Sequence, residues 1–424
     1  MMNRNSLPYI FFLVISILYV ALLFSKIPEN SFLFMGDQFF RFSRDETFAN
    51  AFYIRKMLNF GVFNAWQLTA EVPDVLYYSF IYKLGFGLIQ AEKILFTLII
   101  FITLSFSFVG FSKLSKLYTN CADTKVLLAI TFWYSINPYL MVLWHGGVYI
   151  LGASLTYSLA PLIIYYFHLS LVGFRSIRPR IICALLLFVA SFTFWMLAAL
   201  CILLILYTIA ILIINRKTIG TVIINSLKLL SVYIPMSAMI IYPIFNEYFN
   251  NGSDLNGTFV ATFGNIQGGL LYQLLMWFSW GIYNLWTPRS IYPGVVTDFY
   301  FSPIYIGATT SIYLLLGFLV YKKLEISKWN RKNFLKSNYL SIIFITIFFI
   351  SIFLAKGQEP PFGNIFLFLY ENVPFFTVFR SSDHRFGFPA VLSLAIALLM
   401  LTIILKITSA FAITLAVITF VQNF

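Results

Sequence analysis

A series of apolar runs, most of them close to the length of a bilayer crossing, recurs along this chain from Tyr9 to Phe420 with only short interruptions. About 20 helical residues cross the roughly 30 Å of hydrocarbon in a bilayer. In lipid the backbone must satisfy its own hydrogen bonds, which restricts spanning structures to helices and closed barrels. The runs therefore predict an all-α membrane protein, with residues 1–424 forming one polytopic membrane domain.

The runs predict about eleven transmembrane helices. The stretch 181–214 is too long for one crossing, so we divide it near Trp195. A soluble fold is excluded because 60% of the residues are hydrophobic and only 10% are charged. The predicted spans are residues 9–24, 94–111, 126–144, 149–172, 181–195, 197–214, 222–245, 304–319, 339–354, 390–405 and 407–420.

The charge of the short loops predicts how these spans are oriented. Lys and Arg accumulate in cytoplasmic loops. The basic loops 113–125, 175–180, 216–217, 322–336 and Lys406 all fall on the same side as Arg4. We therefore expect a cytoplasmic N-terminus and a non-cytoplasmic C-terminus in the plasma (inner) membrane. The net charge of +13 then reflects topology, and no nucleic-acid partner is expected.

The same orientation places three large loops, approximately 25–92, 246–303 and 356–389, on the non-cytoplasmic side. Loops of this size commonly carry function. Residues 46–60 have the pattern of a short interfacial helix. Residues 75–88 are apolar but short. A membrane crossing there would move every later loop to the opposite side of the membrane from the one that the loop charges predict. We expect that segment to be re-entrant or to lie on the membrane surface.

The first loop carries a candidate catalytic acid. Asp37 follows Gly36, and a carboxylate at the mouth of a cavity between helices can serve as general base for a sugar hydroxyl. Possible supporting charges follow it, namely Arg41, Arg44, Asp45 and Glu46. A structural reading remains open, in which Asp37 caps a helix and the other four form surface ion pairs.

The last loop carries cations where the positive-inside rule does not predict them. Arg380, His384 and Arg385 could bind the phosphate of a lipid, with support from Lys356. Alternatively the arginines extend to ordinary headgroups or pair with Asp383.

The middle loop is rich in aromatic residues. Trp280, Trp286 and Asp298 are candidates for binding a sugar acceptor, because aromatic rings stack on sugars and carboxylates accept from hydroxyls. An interfacial aromatic belt would have the same composition. The scattered residues Cys121, Cys183 and Cys201 imply no disulfide, and no spacing of His or Cys indicates a metal site.

Several short motifs, taken in order, resemble the GT-C superfamily of membrane glycosyltransferases, particularly the branch of large cell-wall arabinofuranosyltransferases and related bacterial and archaeal membrane proteins. These motifs are Gly36-Asp37, Asn137-Pro138-Tyr139 with Gly146-Gly147, the run 159–162, the segment 356–361, and 373–376 leading into Phe379-Arg380 and Arg385-Phe386.

The resemblance implies transfer of a sugar from a polyprenyl-phosphate donor to a glycan or glycolipid acceptor on the non-cytoplasmic side. Asp37 takes the role of base, and no cofactor is needed because the lipid-linked sugar is a substrate. The larger relatives continue into further domains after the point where this chain ends. An O-antigen-type polymerase and a transporter or flippase of lipid-linked sugars remain the alternatives.

Overall fold

The computed structural model describes residues 7–25, 65–119, 123–140, 150–172, 176–214, 219–251, 270–275, 302–326, 331–373, 376–379 and 382–423. These residues form α-helices and a short 3-10 turn, and no strand occurs among them. The helices are α1 Leu7–Ser25, α2 Ala65–Lys83, α3 Leu88–Thr119, α4 Thr124–Ser135, α5 Ile150–Val172, α6 Arg178–Ser191, α7 Phe194–Ile214, α8 Ile219–Asn251, α9 Leu270–Leu274, α10 Pro303–Ile326, α11 Arg331–Ala355, α12 Gly363–Asn372, α13 Ser382–Leu405 and α14 Thr408–Asn423, with the 3-10 turn at Phe376–Phe379.

Six helical segments in the described ranges are long and apolar enough to cross a membrane. They are Ile89–Thr119, Leu151–Val172, Phe194–Ile213, Ile219–Pro243, Pro303–Ile326 and Arg385–Leu405. Shorter apolar helices cover Leu7–Leu22, Tyr339–Ala355 and Thr408–Gln422. The part of the chain that the structure describes is all-helical, and its apolar helices indicate a multi-pass membrane protein, whereas the count of eleven crossings stays a prediction.

Helix α13 lies at the centre of the bundle. In its most apolar window, 94% of the residues are buried, compared with 22% in the corresponding window of α8. It packs against α11, α4, α7 and α3. An apolar helix surrounded by other helices must be apolar on every face, and the sequence of α13 is so after its first turn.

Close packing of α3 on α5 requires glycine at position 110. A Cβ atom there would lie 2.7 Å from Pro161 Cβ and 2.8 Å from Leu162 N. Small residues let the backbones of membrane helices approach each other in this way. The motif 159–162, quoted above for the family resemblance, therefore has a packing role in this chain.

The long run 181–214 is two helices, as predicted, but the break precedes Trp195. Phe192 and Thr193 form a turn in which their backbone N–H groups donate to Val189 O and Ala190 O, at 3.4 and 3.2 Å. Trp195 already belongs to α7. The tight turn lets α6 and α7 pack against each other as neighbours.

Several predicted boundaries were wrong because helices continue beyond their apolar runs. Helix α2 begins at Ala65 and so occupies part of the segment 25–92 that was predicted to be an outer loop. Lys113 lies inside α3, and its Nζ sits 5.1 Å from the Tyr165 ring centroid, so it is not in a loop. Such contacts let a lysine remain near a helix end. The proposed interfacial helix at 46–60 lies outside the described residues.

Candidate functional site

The turn that follows α11 is held by a close backbone approach. Gly357 has a positive φ of 62° and donates its N–H to Leu354 O at 3.1 Å. The chain then folds back, so that a Cβ on Gly363 would lie 1.8 Å from Gln358 O. Only glycine fits at position 363, which fixes the turn 356–359 against the start of α12.

Lys356 is enclosed by this turn. Its side chain is 0% exposed, its Nζ donates to the carbonyl of Glu359, and the same atom lies 4.6 Å from the Phe353 ring centroid. Burial lowers the pKa of the Lys356 ammonium from its ordinary value, and the Glu359 carboxylate opposes this shift. A lysine in this position can donate strongly to an anion that replaces a neutral carbonyl.

Arg385 and Lys356 both lie near the point where the end of α11 meets the start of α13. Ser382, which begins α13, donates its hydroxyl to Ala355 O at 3.0 Å, and Ala355 directly precedes Lys356. Arg385 is one turn further along α13 and is 9% exposed. Its guanidinium carbon lies 5.9 Å from the Trp195 ring centroid at the start of α7. At this distance the guanidinium can make a cation–π interaction with the indole ring.

A cluster of two tyrosines and an asparagine also packs against α13. Tyr134 and Tyr157 stack with centroids 4.2 Å apart, and each hydroxyl donates at 2.8 Å to the backbone carbonyl of the other residue. Asn137 donates its Nδ2 to the Tyr157 hydroxyl at 2.7 Å. The Tyr157 ring contacts Phe388 of α13 at 5.5 Å. Asn137, noted above for the family resemblance, therefore links the segment after α4 to α5 by a hydrogen bond.

A buried acidic pair at the same end of the bundle was missed by sequence reasoning. Asp74 of α2 is 8% exposed, and its Oδ1 accepts from the N–H of Leu151 in the first turn of α5 at 3.2 Å. Glu92 of α3 is wholly buried. Burial is the main cause that raises the pKa of the Tyr78 hydroxyl, and the nearby carboxylates of Asp74 and Glu92 raise it further. A carboxylate at a helix N-terminus is favoured by the helix dipole.

Two of the predicted site residues, Lys356 and Arg385, lie within one helical turn of the hydrogen bond between Ser382 and Ala355, at the end of the bundle where α11 ends and α5, α7 and α13 begin. We call this the predicted outer end, since loop charge places it on the non-cytoplasmic side. His384 lies on α13 next to Arg385. The remaining candidates lie outside the described residues: Asp37, Arg41, Arg44, Asp45, Glu46, Trp280, Trp286, Asp298 and Arg380.

The described side chains favour anion binding. Two cations, one aromatic ring and a fixed turn lie at this end of the bundle, and lysine and arginine side chains are good donors to an anion. Among the described residues, no group of three or more His, Cys, Asp or Glu side chains could hold a metal ion. Comparison of the chain with protein-family models, with curated proteins and with solved structures gave no match.

Proposed function

We propose that this chain is a membrane glycosyltransferase that moves a sugar from a polyprenyl-phosphate-linked donor to a glycan or lipid acceptor on the non-cytoplasmic side. The observation that carries the proposal is the pair of buried cations, Lys356 and Arg385, on either side of the hydrogen bond that joins α11 to α13. Buried cations in membrane proteins are costly and commonly mark substrate sites.

The donor phosphate would replace the Glu359 carbonyl as the acceptor for Lys356 Nζ. It would also receive hydrogen bonds from the Arg385 guanidinium, which lies 5.9 Å from the Trp195 ring centroid. As the bond between the anomeric carbon and the phosphate oxygen breaks, negative charge grows on the phosphate. Fixed cations stabilise that charge more in the transition state than in the bound donor, which lowers the barrier.

The acceptor hydroxyl attacks the anomeric carbon and must lose a proton. We assign that proton to the Asp37 carboxylate, on the residue pattern of the first outer loop and the family resemblance. The atoms then balance: one bond from carbon to oxygen forms, one breaks, the lipid phosphate leaves, and Asp37 holds the proton.

The test is sugar transfer by the purified full chain in lipid. A panel of radiolabelled polyprenyl phosphate sugars is supplied with native membrane extract as acceptor. We expect transfer from at least one donor by the wild type and its loss in Asp37→Asn, with equal amounts of protein in the membrane. Full activity in Asp37→Asn would remove the proposed base, and no transfer by folded wild type from any donor would contradict the function.

The buried acid Glu92 specifically favours a second candidate function, transport of a lipid-linked sugar. Acids inside membrane helices often form proton relays in transporters. Glu92 lies in the first full turn of the candidate span Ile89–Thr119. Movement of a labelled lipid-linked sugar across vesicles containing the wild type, without chemical change to the lipid, would favour transport over transfer. If Glu92→Gln moved the sugar as fast as the wild type, Glu92 would have no part in it.

A further inference from the structure

The opposite end of the bundle, predicted to be cytoplasmic, holds a second concentration of positive charge. Helix α6 begins there at Arg178, and its first turn contains Arg178 and Arg180 but no acid. No side chain caps the helix N-terminus. Both features are unfavourable in isolation, because the N-terminus of a helix already carries a partial positive charge.

Arg180 is held at this place by a network that spans three helices. It is 8% exposed, and its Nη2 donates to Asn225 Oδ1 of α8 at 2.9 Å. Asn225 in turn donates its Nδ2 to Leu171 O near the end of α5 at 2.8 Å. The amide of Asn225 thus connects Arg180 to the end of α5 and holds one nitrogen of the guanidinium in place.

The guanidinium retains an unused donor. Its Nε is buried and makes no hydrogen bond with any residue in the part of the chain that the structure describes. Neither Arg178 nor Arg180 forms an ion pair with an acid in that part. Because side chains on a helix lean towards its N-terminus, the Arg180 side chain leans towards the uncapped turn of α6. A buried donor without an acceptor lowers the stability of the fold, and a ligand that supplies an acceptor relieves this cost.

We propose that this corner, formed by the first turn of α6 and the adjoining face of α8, binds the phosphate of an anionic phospholipid from the neighbouring leaflet. The phosphate would accept from the exposed Arg178, from the backbone N–H groups of the uncapped first turn of α6, where Pro179 has none, and from Arg180 Nε once a side-chain rotation uncovers that buried atom. Lys228, exposed on α8 one turn beyond Asn225, adds a third cation.

A lipid is the source that the surroundings favour. The face of α8 next to Asn225 exposes Ile223, Ile224 and Leu227, which suits acyl chains rather than water. Clusters of basic residues at the cytoplasmic end of membrane helices attract anionic lipid headgroups. The site is separate from the proposed transfer site and does not depend on it.

The experiment measures binding of phosphatidylglycerol to the purified full chain in neutral detergent, by native mass spectrometry and by thermal shift. Phosphatidylcholine and inorganic phosphate serve as the other probes. We expect phosphatidylglycerol to bind and to stabilise the wild type, with affinity about tenfold to a hundredfold lower in Arg180→Gln, which loses a hydrogen bond to a charged group.

Arg178→Gln provides the second variant, because Arg178 is exposed and its removal leaves the network of Arg180 intact. It should lower affinity about fivefold. Lys322→Gln is the matched control, since Lys322 is also a cation at the predicted cytoplasmic end but pairs with Glu325 at 2.8 Å. Equal binding by all variants, equal binding of phosphatidylcholine, or a site saturated by inorganic phosphate alone would each overturn the proposal.

Discussion

Gly363→Ala should unfold the turn 356–359 while leaving the bundle intact. The new Cβ would lie 1.8 Å from Gln358 O and 2.4 Å from Gln358 C. Ordinary contact begins at 3.4 Å, so the Gln358 backbone must retreat by about 1.6 Å. Both clashing atoms belong to the backbone, and no rotamer change can relieve them. We expect a cost of about 3 kcal/mol, at the upper end of overpacking penalties.

Hydrogen–deuterium exchange measures this cost where it arises. The amides of Gly357 and Glu359 are bonded within the turn. A loss of about 3 kcal/mol should make them exchange about 100-fold faster, whereas amides in α13 should be unaffected. Gly317→Ala is the control, because a Cβ there meets nothing within 4 Å and α10 should gain helix propensity. Equal exchange of the turn in Gly363→Ala and the wild type would refute the reasoning.

Three further predictions concern the core and the buried lysine. Gly110→Ala should destabilise the protein by about 1–3 kcal/mol by forcing α3 away from Pro161, seen as a lower Tm. Tyr157→Phe should cost about 1–3 kcal/mol because Asn137 and a backbone carbonyl lose a buried partner; an unchanged Tm would contradict that role. Folding lowers the pKa of Lys356 from 10.5, so between the folded and unfolded pKa values the unfolded chain binds more protons than the folded chain. The contribution of Lys356 to the free energy of unfolding therefore becomes more favourable as the pH rises. The Tm of the wild type relative to Lys356→Met should therefore rise with pH up to about 10.5, and a constant difference would count against the shift.

The positions of the helices could be predicted because hydrophobicity along the chain directly reflects burial in lipid. Each predicted span overlaps a helix of the structure. The ends of helices could be predicted less well, as α2 and α3 show. Polar and basic residues can continue a helix beyond its apolar run without changing its backbone. The central position of α13 is a property of tertiary packing, which hydropathy does not encode.

Part of the candidate site could also be predicted. Lys356 and Arg385 could be predicted as candidates for phosphate binding because cations are unexpected in outer loops. Glu92 gave a signal of the same kind, an acid two residues before the predicted span 94–111, but it was assigned to the adjoining loop. The pairing of Asp74 with the N-terminus of α5 could not be predicted, since those residues are 77 positions apart and no local pattern joins them.

The most direct measurement of the central claim is the rate of sugar transfer by Lys356→Gln and Arg385→Gln, compared with the wild type and Lys322→Gln, in the same lipid and with a donor that the wild type uses. If the buried cations stabilise the departing phosphate, each of the first two variants should lose about 100-fold in rate, as when one preorganised donor is removed from an active site. Lys322→Gln should retain the wild-type rate. Transfer at the wild-type rate by both Lys356→Gln and Arg385→Gln would contradict the account.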